Sequence, residues 1–211
     1  MKSIDHPIFQ ESIRYIQSRL GYTGFNSIEQ DVLERLIHSS GDFGIQSLLK
    51  FTPGACESGV IALKEGARII TDTNMAASAI TPMSSKTLNA SVNSILEWVP
   101  SDYEKEEPRT VIGMKKAWEE FSYKFSSDTP PIVVIGSAPK ALLALLDMIS
   151  EGLMKPSLVI GMPVGFISVL ESKKRLAKST IHHIRIEGNK GGAAMAAASV
   201  NALLRYSMIE K

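Results

Sequence analysis

Three times in the second half of the chain a short apolar run ends at glycine and gives way to a helical pattern. Ile132-Val133-Val134-Ile135 runs into Gly136-Ser137-Ala138-Pro139, Leu158-Val159-Ile160 into Gly161-Met162-Pro163-Val164-Gly165-Phe166, and Ile184-Arg185-Ile186 into Gly188 and then Gly191-Gly192. Such units in series predict a three-layer α/β/α domain with a largely parallel central sheet, whose carboxyl-end loops line one crevice. In the middle loop, Gly161 and Gly165 permit backbone conformations and close approaches that a side chain forbids, and Pro163 removes a donor and stiffens the path between them. A loop of this kind can admit a ligand, although a plain strand-to-helix turn has the same composition.

The 211 residues, 44% hydrophobic and 21% charged, suffice for one substantial core, and no repeat or low-complexity tract divides them. A single domain over residues 1–211 is expected. A net charge of +1 argues against a nucleic-acid surface that depends on excess Lys and Arg, though not against a local anion pocket. No apolar signal segment opens the sequence and no stretch is long and apolar enough to span a bilayer, so a cytoplasmic protein without a membrane partner is expected. Cys56 is the only cysteine, which rules out an internal disulfide or a thiolate cluster and reads as a small buried residue rather than a nucleophile.

In the first half, the spacing of Ile8, Ile13, Ile16 and Leu20 predicts an amphipathic helix from Pro7 to Leu20. Ser27 with Gln30 suggests a capping-box start for a second helix, ending at Gly41. A third helix over residues 53–65, a strand over 67–71 and a short helix over 74–80, stopped before Pro82, follow. Between Pro82 and Pro108 the pattern suggests a strand near residues 88–92 and a surface loop. A helix from Arg109 to about Tyr123 precedes the three glycine-ended units, and an alanine-rich helix over residues 193–204 completes the last.

His38 falls in the last turn of the second helix, where free carbonyls favour an imidazolium by up to about 2 kcal/mol. A protonated ring can give up a proton. Glu34 adds to that preference and Arg35 opposes it. A histidine that only caps helix carbonyls fits the same position, so both readings stand. His182 and His183 are adjacent at a strand start, point to opposite faces and cannot chelate one metal together. No HExxH spacing occurs, and a metal site is not expected. The glycine loops lack the third glycine of the dinucleotide pattern and any Gly-Lys-Ser/Thr phosphate loop, which leaves nucleotide binding as a secondary reading. Ser137, Ser168 and Ser172 lie outside any Gly-x-Ser-x-Gly elbow and read as caps or hydrogen-bond donors. The cluster Lys173-Lys174-Arg175 with Lys178 reads as a solvated helix face. Arg109-Thr110 begins a helix and could meet a carboxylate, or be no more than a helix start.

Taken together, His6-Pro7-Ile8, Ser12-Ile13-Arg14, Ile37-His38-Ser39-Ser40-Gly41-Asp42, Ile135-Gly136-Ser137-Ala138-Pro139, Gly161-Met162-Pro163-Val164-Gly165-Phe166 with Glu171-Ser172-Lys173, and Gly191-Gly192 through Asn201-Ala202-Leu203 resemble the precorrin-8X methylmutase family nearly end to end. The resemblance implies a cobalamin-pathway isomerase that moves a methyl group from C-11 to C-12 of a corrin precursor without cofactor or protein-bound metal. It implies a homodimer, with the tetrapyrrole in a site shared between subunits. It gives His38 the role of proton donor and acceptor, and places substrate contacts at Ser12 and Arg35, joined by motif by Thr81, Arg109 and Thr110. Gly161, Pro163 and Gly165 would offer backbone donors and a flat apolar wall. A non-catalytic tetrapyrrole carrier would use the same crevice without needing an ionisable group at the reacting centre.

Overall fold

Six strands build the sheet: β1 (Leu49–Phe51), β2 (Ile69–Thr71), β3 (Val92–Ser94), β4 (Ile132–Ile135), β5 (Leu158–Gly161) and β6 (His183–Ile186), in the order β1-β6-β5-β4-β2-β3. The structure, a computed structural model, describes residues 6–103, 106–124 and 129–209. The expectations for the amino-terminal stretch through Asp5 and for residues 104–105 lie outside them. β3, β2, β4, β5 and β6 run parallel, and β1 joins β6 antiparallel, with Leu49 opposite Ile186.

Alternation along the strands sends Ile132, Val134, Leu158, Ile160 and Ile184 to one face of the sheet, and Val133, Ile135 and Val159 to the other. The first face is covered by α1 (Pro7–Leu20), α2 (Ser27–Ser40), α4 (Ala55–Lys64), α5 (Asn74–Lys86) and α9 (Ala193–Tyr206). Against the second pack α6 (Arg109–Lys124), α7 (Pro139–Ser150) and α8 (Val169–Lys178). This is the expected three-layer arrangement, and it covers both faces as a parallel sheet requires. A short helix, α3 (Ile45–Leu48), carries the chain from α2 into β1. Because β1 starts opposite the last residue of β6, the exit of α2 sits at the carboxyl end of the sheet, together with the amino termini of α7, α8 and α9.

Local differences from the sequence reading have identifiable causes. The cap of α2 is Asn26, whose side chain accepts from the N–H groups of Ile28 and Glu29 while Glu29 reaches back to the Asn26 N–H at 3.1 Å. Gln30, expected in that role, instead accepts from the Thr23 hydroxyl at 2.6 Å and donates to Glu34 at 2.8 Å. Helix α5 continues through Pro82 to Lys86 rather than stopping at Ile80. Pro82 is exposed and removes one N–H, but nearby carbonyls find other donors: the Thr81 hydroxyl bonds Ala77 O at 2.8 Å and Asn201 Nδ2 bonds Ala79 O at 3.1 Å. The buried face of Ala76, Ile80 and Ser84 does the rest. The strand expected near residues 88–92 forms at Val92–Ser94, where it can pair with β2, and a 3-10 helix, Ile95–Trp98, follows. The short α3 and β1 were not foreseen.

His182 is exposed and His183 is fully buried, on opposite sides of β6 as expected. His183 Nδ1 lies 2.9 Å from Ile181 O, and Arg185 Nη1 lies 2.9 Å from Nε2. A carbonyl can only accept and a guanidinium can only donate, so the ring is neutral with its proton on Nδ1. Burial lowers its pKa from the ordinary 6.5, the Arg185 and His182 charges lower it further, and the Ile181 carbonyl opposes them. The folded value lies below the unfolded one, so this contribution to stability is full above about pH 6.5 and is lost as pH falls through the folded value. Wild-type protein should melt at a lower temperature at pH 5 than at pH 7.5, and His183→Gln should remove part of that difference.

Candidate functional site at the carboxyl end of the sheet

The exits of β4, β5 and β6 are stitched to one another. Met162 N–H donates to Ile135 O at 2.8 Å, Val164 N–H to Gly136 O at 3.2 Å, Gly165 N–H to Asn189 O at 3.2 Å, and Gly192 N–H to Met162 O at 2.9 Å. The approach is so close that a Cβ on Gly191 would fall 2.0 Å from Met162 O. One expectation is thereby corrected. The N–H groups of Met162, Val164 and Gly165 are spent on neighbouring loops and Pro163 has none, so this part of the loop does not present a row of backbone donors to a ligand. Gly161 is buried within β5, and the space its missing side chain leaves is filled by Leu176, whose Cδ2 would lie 2.3 Å from a Cβ there. Pro163 is buried and Gly165 turns the loop at φ 129°. What the loop shows to solvent is apolar: Val164, Phe166 (84% exposed) and Ile167 (78%), continued by Leu170.

The turn after β4 holds an anion of the protein's own. Asp72, fully buried just beyond β2, accepts on Oδ2 from the N–H groups of Gly136, Ser137 and Ala138 at 3.0, 2.6 and 2.7 Å. Burial pushes its carboxyl above the ordinary carboxylate range, while the three N–H donors and the Thr73 hydroxyl pull it back. Amides at this point of a doubly wound sheet are where a phosphate would bind. Here a side chain fills them, which counts against the nucleotide reading. Asp72 was missed in the sequence; its signal, a carboxylate directly after a strand in Thr71-Asp72-Thr73, is a weak one.

His38 stands exposed on the last turn of α2, which Gly41 closes in the left-handed conformation with its N–H on Ile37 O at 2.8 Å. Helix α1 supplies its neighbours. Ser12 Oγ is 2.8 Å from His38 Nδ1, and the Phe9 ring meets the imidazole edge to face, centroids 4.8 Å apart. Nε2 has no hydrogen-bond partner among the described residues. Glu34 is buried, and accepts from Gln17 and Gln30 at 2.9 and 2.8 Å. The Arg35 guanidinium covers the Phe9 ring at 4.5 Å and, with Glu34, Asp31 and Arg205, lines a cavity of about 110 Å³. The structure therefore gathers His38, Ser12 and, across Phe9, Arg35. Thr81 lies apart and exposed on α5, its hydroxyl bonded to Ala77 O. Arg109 and Thr110 begin α6, in the opposite layer of the sandwich from α2. A larger groove of about 720 Å³ also lies on that opposite layer, between α6 and α7, and none of the expected site residues lines it.

Within the Lys173-Lys174-Arg175 and Lys178 cluster, Lys173 alone departs from the expected solvated face. Lys174 and Lys178 are exposed and Arg175 pairs with Asp147, but Lys173 is only 4% exposed and its ammonium donates to Gly188 O at 2.7 Å and Lys190 O at 2.6 Å. Burial pulls its pKa down to about 8. Among the serines, Ser172 donates to Val169 O at 2.9 Å, whereas Ser168, at φ 59°, precedes α8 without a side-chain cap. Among the described residues no three His, Cys, Asp or Glu side chains converge as a metal site, and no helix is long and apolar enough to cross a membrane.

Comparison with known proteins gives a consistent result. The profile of the family CbiC, precorrin-8X methylmutase, matches residues 7–206. The chain is 37% identical to the cobalt-precorrin-8 methylmutase of Synechocystis sp., with all of both chains covered. It is 34% identical to the precorrin-8X methylmutase of Pseudomonas aeruginosa, covering 93% of each. Its structure resembles that of the precorrin-8X methylmutase from Thermus thermophilus, with a TM-score of 0.83 at 35% identity and 95% of both chains covered.

Removing the Asp72 carboxylate leaves the N–H groups of Gly136, Ser137 and Ala138 without their acceptor, those of Gly136 and Ala138 buried, so Asp72→Ala should lower unfolding stability by on the order of 3 kcal/mol. Asp72→Asn keeps one acceptor oxygen and should lose less; urea unfolding of the two variants checks the order.

Proposed function

Because the chain belongs to the precorrin-8X methylmutase family, we infer that it is an isomerase of cobalamin biosynthesis, moving the C-11 methyl group to C-12 of precorrin-8X or cobalt-precorrin-8 to give hydrogenobyrinic or cobyrinic acid. Substrate and product have the same atoms and electrons, so the proposal includes no cofactor, and any cobalt enters inside the macrocycle. What the protein must supply is a fixed shape for the ring and a group that lends a proton and takes it back.

His38 is proposed as that group. The observation that carries the assignment is the 2.8 Å contact between Ser12 Oγ and Nδ1, with Nε2 left outward. A hydroxyl can serve both charge states of the ring. It donates to Nδ1 when the imidazole is neutral, which keeps the remaining proton on Nε2, and accepts from Nδ1–H when the ring is charged. Ser12 thus holds one nitrogen while the other exchanges its proton with substrate, and the edge-on Phe9 ring limits rotation.

The exposed Val164, Phe166 and Ile167 are proposed as the apolar wall against the macrocycle, set on the rigid turn of Gly161, Pro163 and Gly165. Arg35, Thr81, Arg109 and Thr110, with Ser12, are proposed to meet its carboxylates. Since α6 lies in the layer opposite α2, the Arg109-Thr110 pair is best brought to His38 by a second copy of the chain, which supports a homodimer with shared sites. A single domain acting in the cytoplasm completes the proposal.

His38→Ala should lower turnover by about 10²-fold or more while the protein still binds the pigment, followed in the visible spectrum. Full activity in that variant removes His38 from the mechanism, and pigment binding without conversion by the wild type returns the chain to the carrier reading. Arg35→Ala should weaken pigment titration more than it lowers the melting temperature; equal losses would assign Arg35 to packing on Phe9.

A further inference from the structure

The loop of residues 187–192, between β6 and α9, touches both halves of the proposed site, yet the proton-transfer scheme does not use it. On one side the β5–α8 loop grips it through Gly165 N–H on Asn189 O and Gly192 N–H on Met162 O. Within the fold, the buried ammonium of Lys173 holds the carbonyls of Gly188 and Lys190. On the remaining side the Lys190 ammonium pairs with Asp42 Oδ2. The other oxygen of Asp42 accepts Gly44 N–H at 2.8 Å, and Asp42 N–H donates to Ser40 Oγ, whose hydroxyl donates to Leu36 O at 2.8 Å. His38 lies inside that turn, between Leu36 and Ser40.

We propose that Lys190 and Asp42, seated by Lys173, are positioning residues for the methyl shift: they fix the end of α2 that carries His38 to the loop that carries the apolar wall. The inference rests on the reading of His38 as the proton carrier. A buried lysine is a costly way to fill space, and an apolar side chain would serve better if packing were the only requirement. Here the ammonium answers two inward carbonyls, and so sets the backbone from which Lys190 departs. The Lys190–Asp42 pair is itself half-exposed, at 54% and 36% of the two side chains, and such a pair adds little to stability. Alignment is a different matter, because small displacements between reacting groups alter rates steeply.

The test separates these effects. Lys190→Met and Asp42→Asn should each lower kcat by roughly 10-fold or more, with KM within about twofold and melting temperature nearly unchanged. The exchanged pair Asp42→Lys with Lys190→Asp should recover much of the lost kcat. Unchanged kcat in the single variants overturns the inference. So does a loss of kcat that follows a fall in melting temperature and is not recovered by the exchange, since that marks a structural pair. His38→Ala measured in the same assay keeps the two claims apart: if it is inactive while Lys190→Met is fully active, the positioning claim alone fails, and if it is fully active, the proton-carrier reading fails and the inference with it.

Discussion

Between the ends of β4, β5 and β6 there is no room for side chains: a Cβ on Gly136 would fall 2.6 Å from Ala193 Cα, and one on Gly191 would fall 2.0 Å from Met162 O. Backbone lies directly on backbone there, and peptide hydrogen bonds link the loops. This contact decides what the crevice can be. The amides of Met162, Val164, Gly165 and Gly192 are taken up by neighbouring carbonyls and those of Gly136, Ser137 and Ala138 by Asp72, so these groups are closed to a ligand and the proposed chemistry rests on side chains that stand around the rim. It also makes the rim rigid, since moving one loop would strip hydrogen bonds from the next two.

His38 belongs to a different part of the molecule from that interlocked centre. It rides on a helix of the first layer, and α1, which packs outside α2, provides both groups that orient its ring. Two independent constraints therefore meet at the site: the strand exits fix the apolar loop, and the α1–α2 pair fixes the imidazole. The loop of residues 187–192 is where the two are joined, through Asp42 and Lys190 on one side and Lys173 on the other. A buried cation answering two carbonyls is a stiff connection, because displacing either carbonyl would leave part of an ammonium group unbonded in the interior.

The sheet was legible because apolar runs such as Ile132-Val133-Val134-Ile135 followed by glycine admit few alternatives, and period-two alternation divides their side chains between two cores as the structure does. Short or contested elements were not. Leu49–Phe51 is three residues long and owes its existence to β6, a partner more than a hundred residues away. Pro82 reads locally as a helix stop, yet packing of Ile80 and Ser84 and a hydrogen bond from Asn201 carry α5 past it. At the site, spacing could place His38 on a helix end but could not bring Ser12 to it, since that contact depends on how α1 crosses α2. Lys173 was misread for the same reason: a lysine beside Lys174 and Arg175 looks solvated until the loop it reaches is known.

Asp72 explains how a sheet of doubly wound topology can be turned away from phosphate. In such folds the free amides at a strand-to-helix turn form a compact donor set, matched to oxygens crowded on one phosphorus atom. With Oδ2 of Asp72 already accepting three of those amides, an anion there would face a filled cradle. The remaining anion-binding groups proposed for the site, Ser12, Arg35, Thr81, Arg109 and Thr110, are scattered over α1, α2, α5 and α6 rather than gathered at one turn. Donors spread in that way suit a ligand whose acidic groups radiate from a wide ring, and the exposed Phe166 and Ile167 are the apolar surface proposed for its plane. The same carboxylate that closes the phosphate site is thereby compatible with the macrocycle proposed for the crevice.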